Sequence, residues 1–599
     1  MSDAPDESPV VWDERGQPRS RRFGDVYFSA EDGLAESRAV FLEGCGLPAA
    51  WRGRRRFVVG ELGFGTGLNV AALLELWRRT REPDARLHVF SVEAFPLSAA
   101  EAGRALSAWP ELAEVTRLLI ARWPGRARGF HRIELGEFGA IVDVAVMDAD
   151  DALAGWSGAA DAWFLDGFSP AVNPEMWREP LMRLAAERSA PGARAATFTV
   201  AGPVRRALAA AGFSVEKRPG FGRKRERLEA RLPGTPLVER PAPRIAVVGA
   251  GIAGVSAARA VAALGAEVIL LDATAAGAGG SGNPAALVTP RLDAGLGPPA
   301  ALFAQCFRRA VDLYEGLPGA IVARGVLQLA ANARDVARFG KIAASDLFEP
   351  GTLAVLDPSE TGARLGEPAP AALEERQALV VEPAAALSAW AAPPSRAQVC
   401  GLERSGPLWR LVDAAGAEIA RADAVIVAAA QGSAALVEGL PLRPVRGQAS
   451  WAEGIAAPGA AAWGGYVLPT RDGVLFGATH ERDDADTAVR AAETERNLAI
   501  LAAALPRFAA RLAGERLQAR ASVRATTPDR LPIAGPAPGG APGLFVLTGF
   551  GSRGFCLAPL LAEHVAAQAA GAPSPLPWPL AALVDPARFS ARAARRGGS

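Results

Sequence analysis

Short apolar runs, each followed by a glycine turn and an amphipathic stretch, recur along this chain. Residues 56–61 form an apolar run that predicts a buried strand, and residues 68–79 have the apolar spacing of an amphipathic helix. Residues 244–248 and the alanine-rich stretch after Gly254 repeat this order. A strand, a glycine turn and a helix in succession are typical of α/β folds with a parallel sheet. We therefore expect two α/β units.

A proline-rich segment separates these two units. Residues 232–243 read LPGTPLVERPAP, and proline both lacks a backbone N–H and restricts the residue before it. We expect no regular structure here, and we divide the chain into residues 1–235, a linker at 236–243 and residues 244–599. A chain of 599 residues is also too long for one domain at about 150 residues each.

Composition and charge exclude several classes of protein. Half of the residues are apolar, 22% are charged and the mean hydropathy is +0.13, which argues against disorder and collagen-like repeats. The net charge of +1 gives no overall attraction to nucleic acid, although a local basic patch stays possible. Four cysteines and four histidines lie far apart, so we expect no metal and a reducing, cytoplasmic setting. No apolar run is long enough for a membrane span. We also expect the protein to be a monomer.

The first glycine turn carries the pattern of a nucleotide site. Glu61, Gly63, Gly65 and Gly67 form an E-x-G-x-G-x-G pattern between the predicted strand and helix. Glycines allow the backbone to turn sharply and to approach a ligand closely. Glu93 ends the next predicted strand, where a carboxylate can accept both hydroxyls of a ribose. The pattern resembles S-adenosylmethionine-dependent methyltransferases more than dinucleotide-binding proteins.

Two further acids end predicted strands of this half. Residues 142–147 lead into Asp148, and residues 162–165 lead into Asp166. Ligands of open α/β sheets bind at the carboxyl ends of strands, so both acids are candidates for chemistry. Asp148 is a candidate contact for adenine, and the turn around Asp166 has aromatic and small residues that can hold a flat base. Each acid can instead be a solvated cap of the following helix.

The second half has a dinucleotide-binding pattern. A strand at 244–248, the G-x-G-x-x-G turn and a second strand ending in Asp272 follow in the order expected of a βαβ unit. The glycines of that turn are Gly249, Gly251 and Gly254. A second glycine-rich loop follows, in which we assign Ser281, Gly282 and Asn283 to the cofactor. This arrangement resembles the FAD-dependent oxidases of the glycine and D-amino-acid oxidase group, so FAD is favoured over NAD.

A late glycine turn and two arginines complete the flavin prediction. Residues 544–548 predict a strand, and the turn after it contains Gly551, Ser552, Arg553 and Gly554 ahead of a helix. The amino end of this helix can stabilise negative charge on a reduced flavin. Arg524 lies in a segment that matches the one carrying a substrate-carboxylate arginine in those oxidases. Guanidinium binds carboxylate through two parallel hydrogen bonds, so we assign catalytic roles to Arg524 and Arg553.

Basic residues cluster just before the proline-rich segment. A solvated surface explains such a run as well as a track for nucleic-acid phosphates does. The candidate residues for binding a nucleic acid such as RNA are Lys217, Arg218, Arg223, Lys224, Arg225 and Arg227.

Several longer runs resemble one bacterial family, the bifunctional tRNA 5-methylaminomethyl-2-thiouridine biosynthesis proteins. The resemblance covers residues 23–577 approximately. The runs in the first half are DVYFS (25–29), FLEG (41–44), ELGFGTGLN (61–69), SVEAFPL (91–97) and LDGFSPAVNPEMW (165–177). Those in the second half are GYVLP (465–469), FGATHERDDADT (476–487) and GFGSRGFCLAP (549–559).

The resemblance implies two activities on the wobble uridine of tRNA. An amino-terminal Rossmann-like methyltransferase domain would use Asp166 as catalytic residue, and Glu93 and the 61–67 loop would hold S-adenosylmethionine. A carboxyl-terminal domain of the glycine and D-amino-acid oxidase type, with an α+β substrate subdomain, would use FAD to remove the carboxymethyl group from 5-carboxymethylaminomethyl-2-thiouridine. The amine so released would then be methylated.

Two other interpretations are compatible with the same motifs. One is a small-molecule oxidase of the glycine or sarcosine type fused to an amine N-methyltransferase, because fold alone does not determine substrate. The other is a module that retains its cofactors and only positions tRNA for other enzymes. Asp166 and Arg524 argue against this second interpretation.

Overall fold

The computed structural model describes residues 8–29, 31–222, 225–235 and 241–597, with side chains described as far as residue 592. The chain divides into two compact units, and the division between Pro241 and Ala242 falls in the proline-rich segment. Unit 1 comprises residues 1–241 together with 573–578, and unit 2 comprises residues 242–572 and 579–599. The return of residues 573–578 to unit 1 differs from the undivided second domain, 244–599, that we expected.

Unit 1 alternates strands and helices. Its strands are β1 (Val10–Trp12), β2 (Pro18–Ser20), β3 (Arg56–Leu62), β4 (Arg86–Val92), β5 (Gly129–Leu135), β6 (Ala140–Val146), β7 (Ala160–Leu165), β8 (Ser189–Thr197), β9 (Ser214–Pro219) and β10 (Glu226–Arg231). Its helices are α1 (Gly33–Ser37), α2 (Leu68–Thr80), α3 (Ala99–Leu106), α4 (Ala113–Ile120), α5 (Ala149–Gly155), α6 (Glu179–Glu187) and α7 (Gly202–Ala210).

One eight-stranded sheet organises unit 1. Its order is β5-β6-β4-β3-β7-β8-β10-β9, and the five strands from β6 to β8 run parallel. The almost wholly buried β3, β4 and β6 show why these segments read as continuous apolar runs, because helices cover both faces of a parallel sheet. The carboxyl ends of β3, β4, β6 and β7 therefore lie along one edge of the sheet, where Glu93, Asp148 and Asp166 follow their strands.

Unit 2 contains many more strands. They are β11 (Arg244–Val248), β12 (Glu267–Asp272), β13 (Ala286–Val288), β14 (Ile321–Leu329), β15 (Leu353–Leu356), β16 (Ala372–Val381), β17 (Ser395–Arg396), β18 (Gly401–Ser405), β19 (Leu408–Val412), β20 (Glu418–Ala422), β21 (Ala424–Val427), β22 (Arg443–Glu453), β23 (Ala461–Ala462), β24 (Tyr466–Pro469), β25 (Gly473–Gly477), β26 (Glu481–Arg482), β27 (Gln518–Thr526), β28 (Ile533–Pro536) and β29 (Leu544–Thr548).

Among its described residues, unit 2 also contains eleven helices, which alternate with or follow these strands. They are α8 (Ile252–Ala263), α9 (Pro298–Glu315), α10 (Ala333–Ala343), α11 (Pro358–Leu365), α12 (Pro383–Trp390), α13 (Ser433–Leu436), α14 (Ala491–Ala504), α15 (Pro506–Arg511), α16 (Gly554–Ala570), α17 (Trp578–Val584) and α18 (Ala587–Gly597).

Unit 2 contains two larger sheets. The first has the order β17-β12-β11-β21-β29-β28 and is parallel except for the β28–β29 pair. The second is a mostly antiparallel sheet of ten strands with the order β13-β16-β14-β23-β24-β25-β22-β26, in which β15 also pairs with β16 and β27 with β22. Helices α8 and α16 pack against each other beside the parallel sheet. Their amino ends, at Ile252 and Gly554, follow the two predicted glycine turns.

Candidate active sites in the two units

The glycine turn after β3 needs glycine for steric reasons. Gly63, Gly65 and Gly67 have φ values of +101°, +51° and +75°, which disfavour other residues. A Cβ atom on Gly63 would lie 2.6 Å from the backbone oxygen of Asp166, so this turn lies directly against the loop after β7. The same substitution at Gly67 would place Cβ 3.0 Å from the Trp123 ring. The turn thus leaves backbone open toward a ligand at the sheet edge.

Glu93 is fixed at the edge of a cavity in unit 1. One carboxylate oxygen accepts the Gly65 N–H at 2.9 Å and the other accepts the Phe95 N–H at 2.8 Å. Burial raises the pKa of Glu93 above its usual value, against these hydrogen bonds. Glu93 lines a cavity of about 910 Å³. Because each oxygen keeps a further lone pair, the carboxylate fits the two hydroxyls of a ribose.

Asp166 is held by its neighbours on both oxygens. The Asn69 amide donates to Oδ2 at 2.8 Å, and the Gly167 N–H donates to Oδ1 at 2.9 Å. Asn69 is itself fixed, since its carbonyl oxygen accepts the Ser37 hydroxyl at 2.7 Å. Sequence reasoning assigned no role to Asn69, although it is the last residue of the ELGFGTGLN run. The carboxylate is therefore oriented at the carboxyl end of β7 before any ligand binds.

Glu61 lies behind this group and is fully buried. Burial raises the pKa of Glu61 to about 8; a hydrogen bond from Ser91, at 2.5 Å, opposes that rise, while the charge of Asp166 adds to it. The raised pKa favours the protonated form of Glu61 near neutral pH, which limits the negative charge beside Asp166. This role differs from direct contact with a cofactor, which stays a prediction.

Asp148 both caps a helix and lines the cavity. It is the N-cap of α5, where its carboxylate accepts the Asp150 N–H at 3.0 Å. It is also exposed and contributes to the same cavity wall as Glu93 and Gly63. The capping role that we considered is present, and the adenine contact stays a prediction.

The first glycine turn of unit 2 brings a helix close to a strand. Gly249 has a φ of +103°, and a Cβ there would lie 2.6 Å from the Ala428 oxygen. A Cβ on Gly254 would lie 1.7 Å from the Gly249 oxygen, so α8 can start this close to β11 only with glycine. The Ile252 N–H donates to the Ser281 hydroxyl at 3.0 Å. The 277–283 loop therefore lies over the amino end of α8, where a pyrophosphate binds in such folds.

Asp272 is fixed at the end of β12. Its Oδ2 accepts the Ala250 N–H at 2.7 Å, and its Oδ1 accepts the Thr274 N–H at 2.8 Å and hydroxyl at 3.0 Å. The carboxylate lies beside the glycine turn, and Gly251 of that turn lines a cavity in unit 2. This position is compatible with a ribose of the dinucleotide, and the contact of Asp272 with the cofactor stays a prediction.

Arg520 holds the second glycine loop and was not predicted. Its guanidinium donates to the backbone oxygens of Ala278 at 2.6 Å and Gly279 at 2.7 Å. It also donates to the Asn283 side chain at 3.4 Å, and a Cβ on Gly282 would lie 3.0 Å from it. One feature of the sequence could have identified Arg520. It lies an even number of residues from Arg524, so the two side chains share one face of β27.

Arg524 projects into a cavity of about 450 Å³ in unit 2. A Cβ on Gly447 would lie 2.3 Å from its guanidinium, so glycine on β22 makes room for it. Its Nη1 donates to the Thr479 backbone oxygen at 3.2 Å. Desolvation lowers the pKa of Arg524, and the nearby Tyr466 opposes this. An arginine in so poorly solvated a position gains strongly from an anionic partner.

Arg553 lines the same cavity from the turn just before α16. Its Nη1 donates to the backbone oxygens of Thr289 at 3.2 Å and Pro290 at 3.0 Å. The turn before it contains Gly549 and Gly551 with φ of +78° and +56°, and α16 then begins at Gly554. The cavity is also lined by Gly551, Ser552 and Gly554. A helix amino end with close backbone approach fits an isoalloxazine ring here.

Glu375, on β16, is a buried acid that the sequence did not reveal. It is 1% exposed, and burial raises its pKa to about 8, while the charge of Arg553 acts in the opposite direction. No periodic pattern separates this glutamate from its exposed neighbours.

The described part of the basic run lies on the β9–β10 hairpin. Lys217 pairs with Glu226 at 2.7 Å, Arg218 with Glu216 at 2.5 Å, and Arg227 with Glu229 at 2.7 Å. Arg225 is exposed, whereas Arg223 and Lys224 lie outside the described residues. The pairs leave the hairpin less positive than its arginines and lysine alone suggest, and its RNA contact stays a prediction.

The described residues lack two further features. In that part of the chain no helix combines the length and apolarity that a membrane crossing needs. The same residues contain no group of three or more histidine, cysteine, aspartate or glutamate side chains placed to hold a metal ion.

Comparison with known proteins assigns both units. Residues 110–233 match the family of S-adenosyl-L-methionine-dependent methyltransferases, and residues 244–568 match the FAD dependent oxidoreductase family. An L-proline dehydrogenase from P. horikoshii, 18% identical, superposes with a TM-score of 0.50 over 59% of this chain and 99% of its own. This likeness shows the fold of unit 2, and the family matches confirm FAD and S-adenosylmethionine as the cofactors.

Full-length relatives carry both units in one chain. A tRNA 5-methylaminomethyl-2-thiouridine biosynthesis bifunctional protein of Caulobacter sp. (strain K31) is 59% identical over 99% of both chains. The protein of the same name from Maricaulis maris is 41% identical over 99% of this chain and 98% of its own. The order of the two matched families along this chain agrees with the bifunctional name of these relatives. The chain belongs to the family of bifunctional tRNA 5-methylaminomethyl-2-thiouridine biosynthesis proteins.

Proposed function

We propose that this chain converts 5-carboxymethylaminomethyl-2-thiouridine at the tRNA wobble position into the 5-methylaminomethyl form in two steps. Unit 2 first removes the carboxymethyl group, and unit 1 then methylates the amine that remains. The observation that carries this proposal is the 59% identity to a relative named for this biosynthesis over 99% of both chains. The two separate cofactor cavities support it, because one step yields an amine and the other consumes one.

The first step is oxidation of an N-substituted glycine. Arg524 binds the substrate carboxylate through its guanidinium, and Arg524 and Tyr466 line the same cavity. This contact orients the carbon between nitrogen and carboxylate toward the helix end at Gly554. FAD held by the 249–254 turn and the 277–283 loop would supply the oxidant for that carbon by taking up its hydride. The resulting substrate imine takes up water and releases glyoxylate and the primary amine.

The second step needs a neutral amine. An alkylamine has a pKa of about 10.4 and cannot attack while it is protonated. Asp166 takes up the ammonium proton or holds the neutral amine in line with the methyl group. Asn69 fixes the carboxylate for either role. Bound S-adenosylmethionine supplies the methyl group, and Glu93 and the 61–67 turn hold it.

The remaining parts of the proposal concern partner and setting. The wobble nucleotide lies in a single-stranded loop and can be splayed out into a pocket at modest cost. We assign tRNA phosphate contacts to the hairpin residues Lys217, Arg218, Arg225 and Arg227, and to Arg223 and Lys224 between them in sequence. The enzyme works as a monomer in the cytoplasm.

An anaerobic flavin experiment separates tRNA from small amines as substrate. The purified chain is mixed without oxygen with tRNA carrying 5-carboxymethylaminomethyl-2-thiouridine, and in parallel with free N-methylglycine. Bleaching of the flavin absorbance by the tRNA alone supports the proposal. Bleaching by N-methylglycine alone assigns the chain to small-molecule oxidases, and a flavin that both leave oxidised assigns unit 2 to binding without oxidation.

A further inference from the structure

Aromatic rings from three separate segments meet at one wall of the unit 1 cavity. Phe23 and Phe168 have ring centroids 5.0 Å apart, and Phe23 and Phe95 have centroids 6.3 Å apart. Tyr27 contacts Phe168 edge-on at 5.3 Å. All four rings line the cavity of about 910 Å³ that also contains Glu93.

These rings stand next to the groups assigned to methyl transfer. Phe95 follows Glu93 by two residues, and Phe168 follows Asp166 by two residues. The segment that carries Phe23 is tied to the loop after β7, since the Ser169 N–H donates to the Asp25 carboxylate at 2.9 Å. A flat ligand on these rings would therefore lie against the loop that carries Asp166.

Phe95 is unusually open to solvent for a phenylalanine at a cavity wall. It is 42% exposed, and the Arg22 guanidinium lies over its ring at 4.7 Å and over the Phe23 ring at 5.8 Å. Exposed apolar surface inside a concave site marks ligand contact more often than packing. Aromatic rings combined with arginine are the usual means of holding unpaired bases of single-stranded RNA.

We propose that Phe23, Phe95 and Phe168, here called the aromatic wall, form the subsite for the uracil ring of the wobble nucleotide. Arg22 contacts a phosphate next to that nucleotide at the mouth of the cavity. This inference rests on the proposed methylation of tRNA and specifies how unit 1 holds its substrate.

Substitutions of Phe95 test the aromatic wall. The substrate is tRNA bearing 5-aminomethyl-2-thiouridine, and the measured values are KM for tRNA and Kd for S-adenosylmethionine. Removal of one stacking surface predicts that Phe95→Ala raises KM roughly 5- to 100-fold. Phe95→Trp keeps a stacking surface and is expected to stay within about threefold of the parent. Val11→Ala is the control, because Val11 is also 42% exposed in unit 1 but lies outside the cavity.

Arg22→Ala tests the phosphate contact separately. Removal of one cation from a phosphate predicts a decrease of about one in the slope of log affinity against log salt concentration. Arg104→Ala is the matched control, since Arg104 stacks on the Trp12 ring at 3.9 Å and does not line the cavity.

The outcomes distinguish this inference from the proposed function. If the parent chain methylates tRNA and Phe95→Ala leaves KM for tRNA unchanged, the aromatic wall is not the base subsite, while the function stands. If Phe95→Ala weakens S-adenosylmethionine binding as much as tRNA binding, the ring only supports the Glu93 loop and the inference fails. If the parent chain methylates no tRNA, the proposed function fails first.

Discussion

Asp166 is a carboxylate whose orientation is fixed by hydrogen bonds from neighbouring residues. Hydrogen bonds from Asn69 and Gly167 occupy one position on each carboxylate oxygen and fix the plane of the group. Glu61, on the adjacent strand β3, has a pKa raised by burial, which favours its neutral form. A preset carboxylate of this kind needs little reorganisation when an ammonium group arrives.

Replacing Asp166 by asparagine removes the proton acceptor but keeps the size of the side chain. We expect methyl transfer to slow roughly 100- to 10,000-fold, with Kd for S-adenosylmethionine unchanged, in a single-turnover assay on the amine-bearing tRNA. Asp151→Asn, on the exposed face of α5, is the control and should keep the parent rate. A fully active Asp166→Asn chain would remove Asp166 from the chemistry.

Glu375 is expected to make the stability of unit 2 decrease as the pH rises. Burial raises its pKa from 4.5 to about 8, so the folded chain binds more protons than the unfolded chain between these values. Its contribution to stability is full below about pH 4.5 and is lost as the pH rises toward 8. Glu375→Gln removes this titration, and we expect the variant to lose less thermal stability than the parent between about pH 6 and pH 8.

Thermal unfolding at both pH values checks this prediction. Glu438→Gln, at an exposed position of unit 2, is the control and should follow the parent. A Glu375→Gln chain whose Tm falls by as much as that of the parent would show that Glu375 is ionised in the folded protein.

At the scale of elements, local chemistry made the strands and helices around the cofactors predictable. The predicted strands at 244–248 and 544–548 have the bounds of β11 and β29, because a buried strand that ends in glycine or a polar residue is a local signal. Arg520 and Glu375 were missed because their roles depend on residues far away in the chain, the 277–283 loop for Arg520 and Arg553 for Glu375. Such pairings leave no periodic trace in the sequence.

The start of α8 offers a test at this scale. Gly254→Ala would place a methyl group 1.7 Å from the Gly249 oxygen, so the helix must move away from β11. We expect a chain that is purified with much less bound flavin than the parent and that retains S-adenosylmethionine binding in unit 1. Gly340→Ala is the control, because nothing lies within 4 Å of the added atom in α10. Normal flavin content in Gly254→Ala would contradict the close packing described here.

At the scale of the whole chain, the two-unit plan followed from the proline-rich segment and the repeated order of strand, turn and helix. The fold classes and both cofactors were confirmed, since each depends on short motifs. The assignment of residues 573–578 to unit 1 was not predictable, because a six-residue return from the far end of the chain has no pattern of its own. The function of the basic hairpin was equally undetermined, because sequence does not show which arginines pair with neighbouring glutamates.

The hairpin is tested by its effect on salt dependence. Changing Lys217, Arg218 and Arg225 to glutamine is expected to weaken tRNA binding and to reduce the salt slope by about one for each phosphate that the hairpin no longer neutralises. Filter binding at several salt concentrations measures both. Arg421→Gln on β20, an exposed arginine paired with Glu418, is a control outside the hairpin. An unchanged affinity and slope would assign the hairpin to a solvated surface.

The central claim is that one chain carries out deprotection and methylation in this order on the same nucleoside. The most direct test is the mass of the wobble nucleoside after tRNA carrying 5-carboxymethylaminomethyl-2-thiouridine is incubated with the purified chain, with and without S-adenosylmethionine. We predict loss of the carboxymethyl group without it, and the same loss followed by gain of one methyl group with it. A nucleoside of unchanged mass in both incubations, or methylation of the carboxymethylated form, would contradict the account.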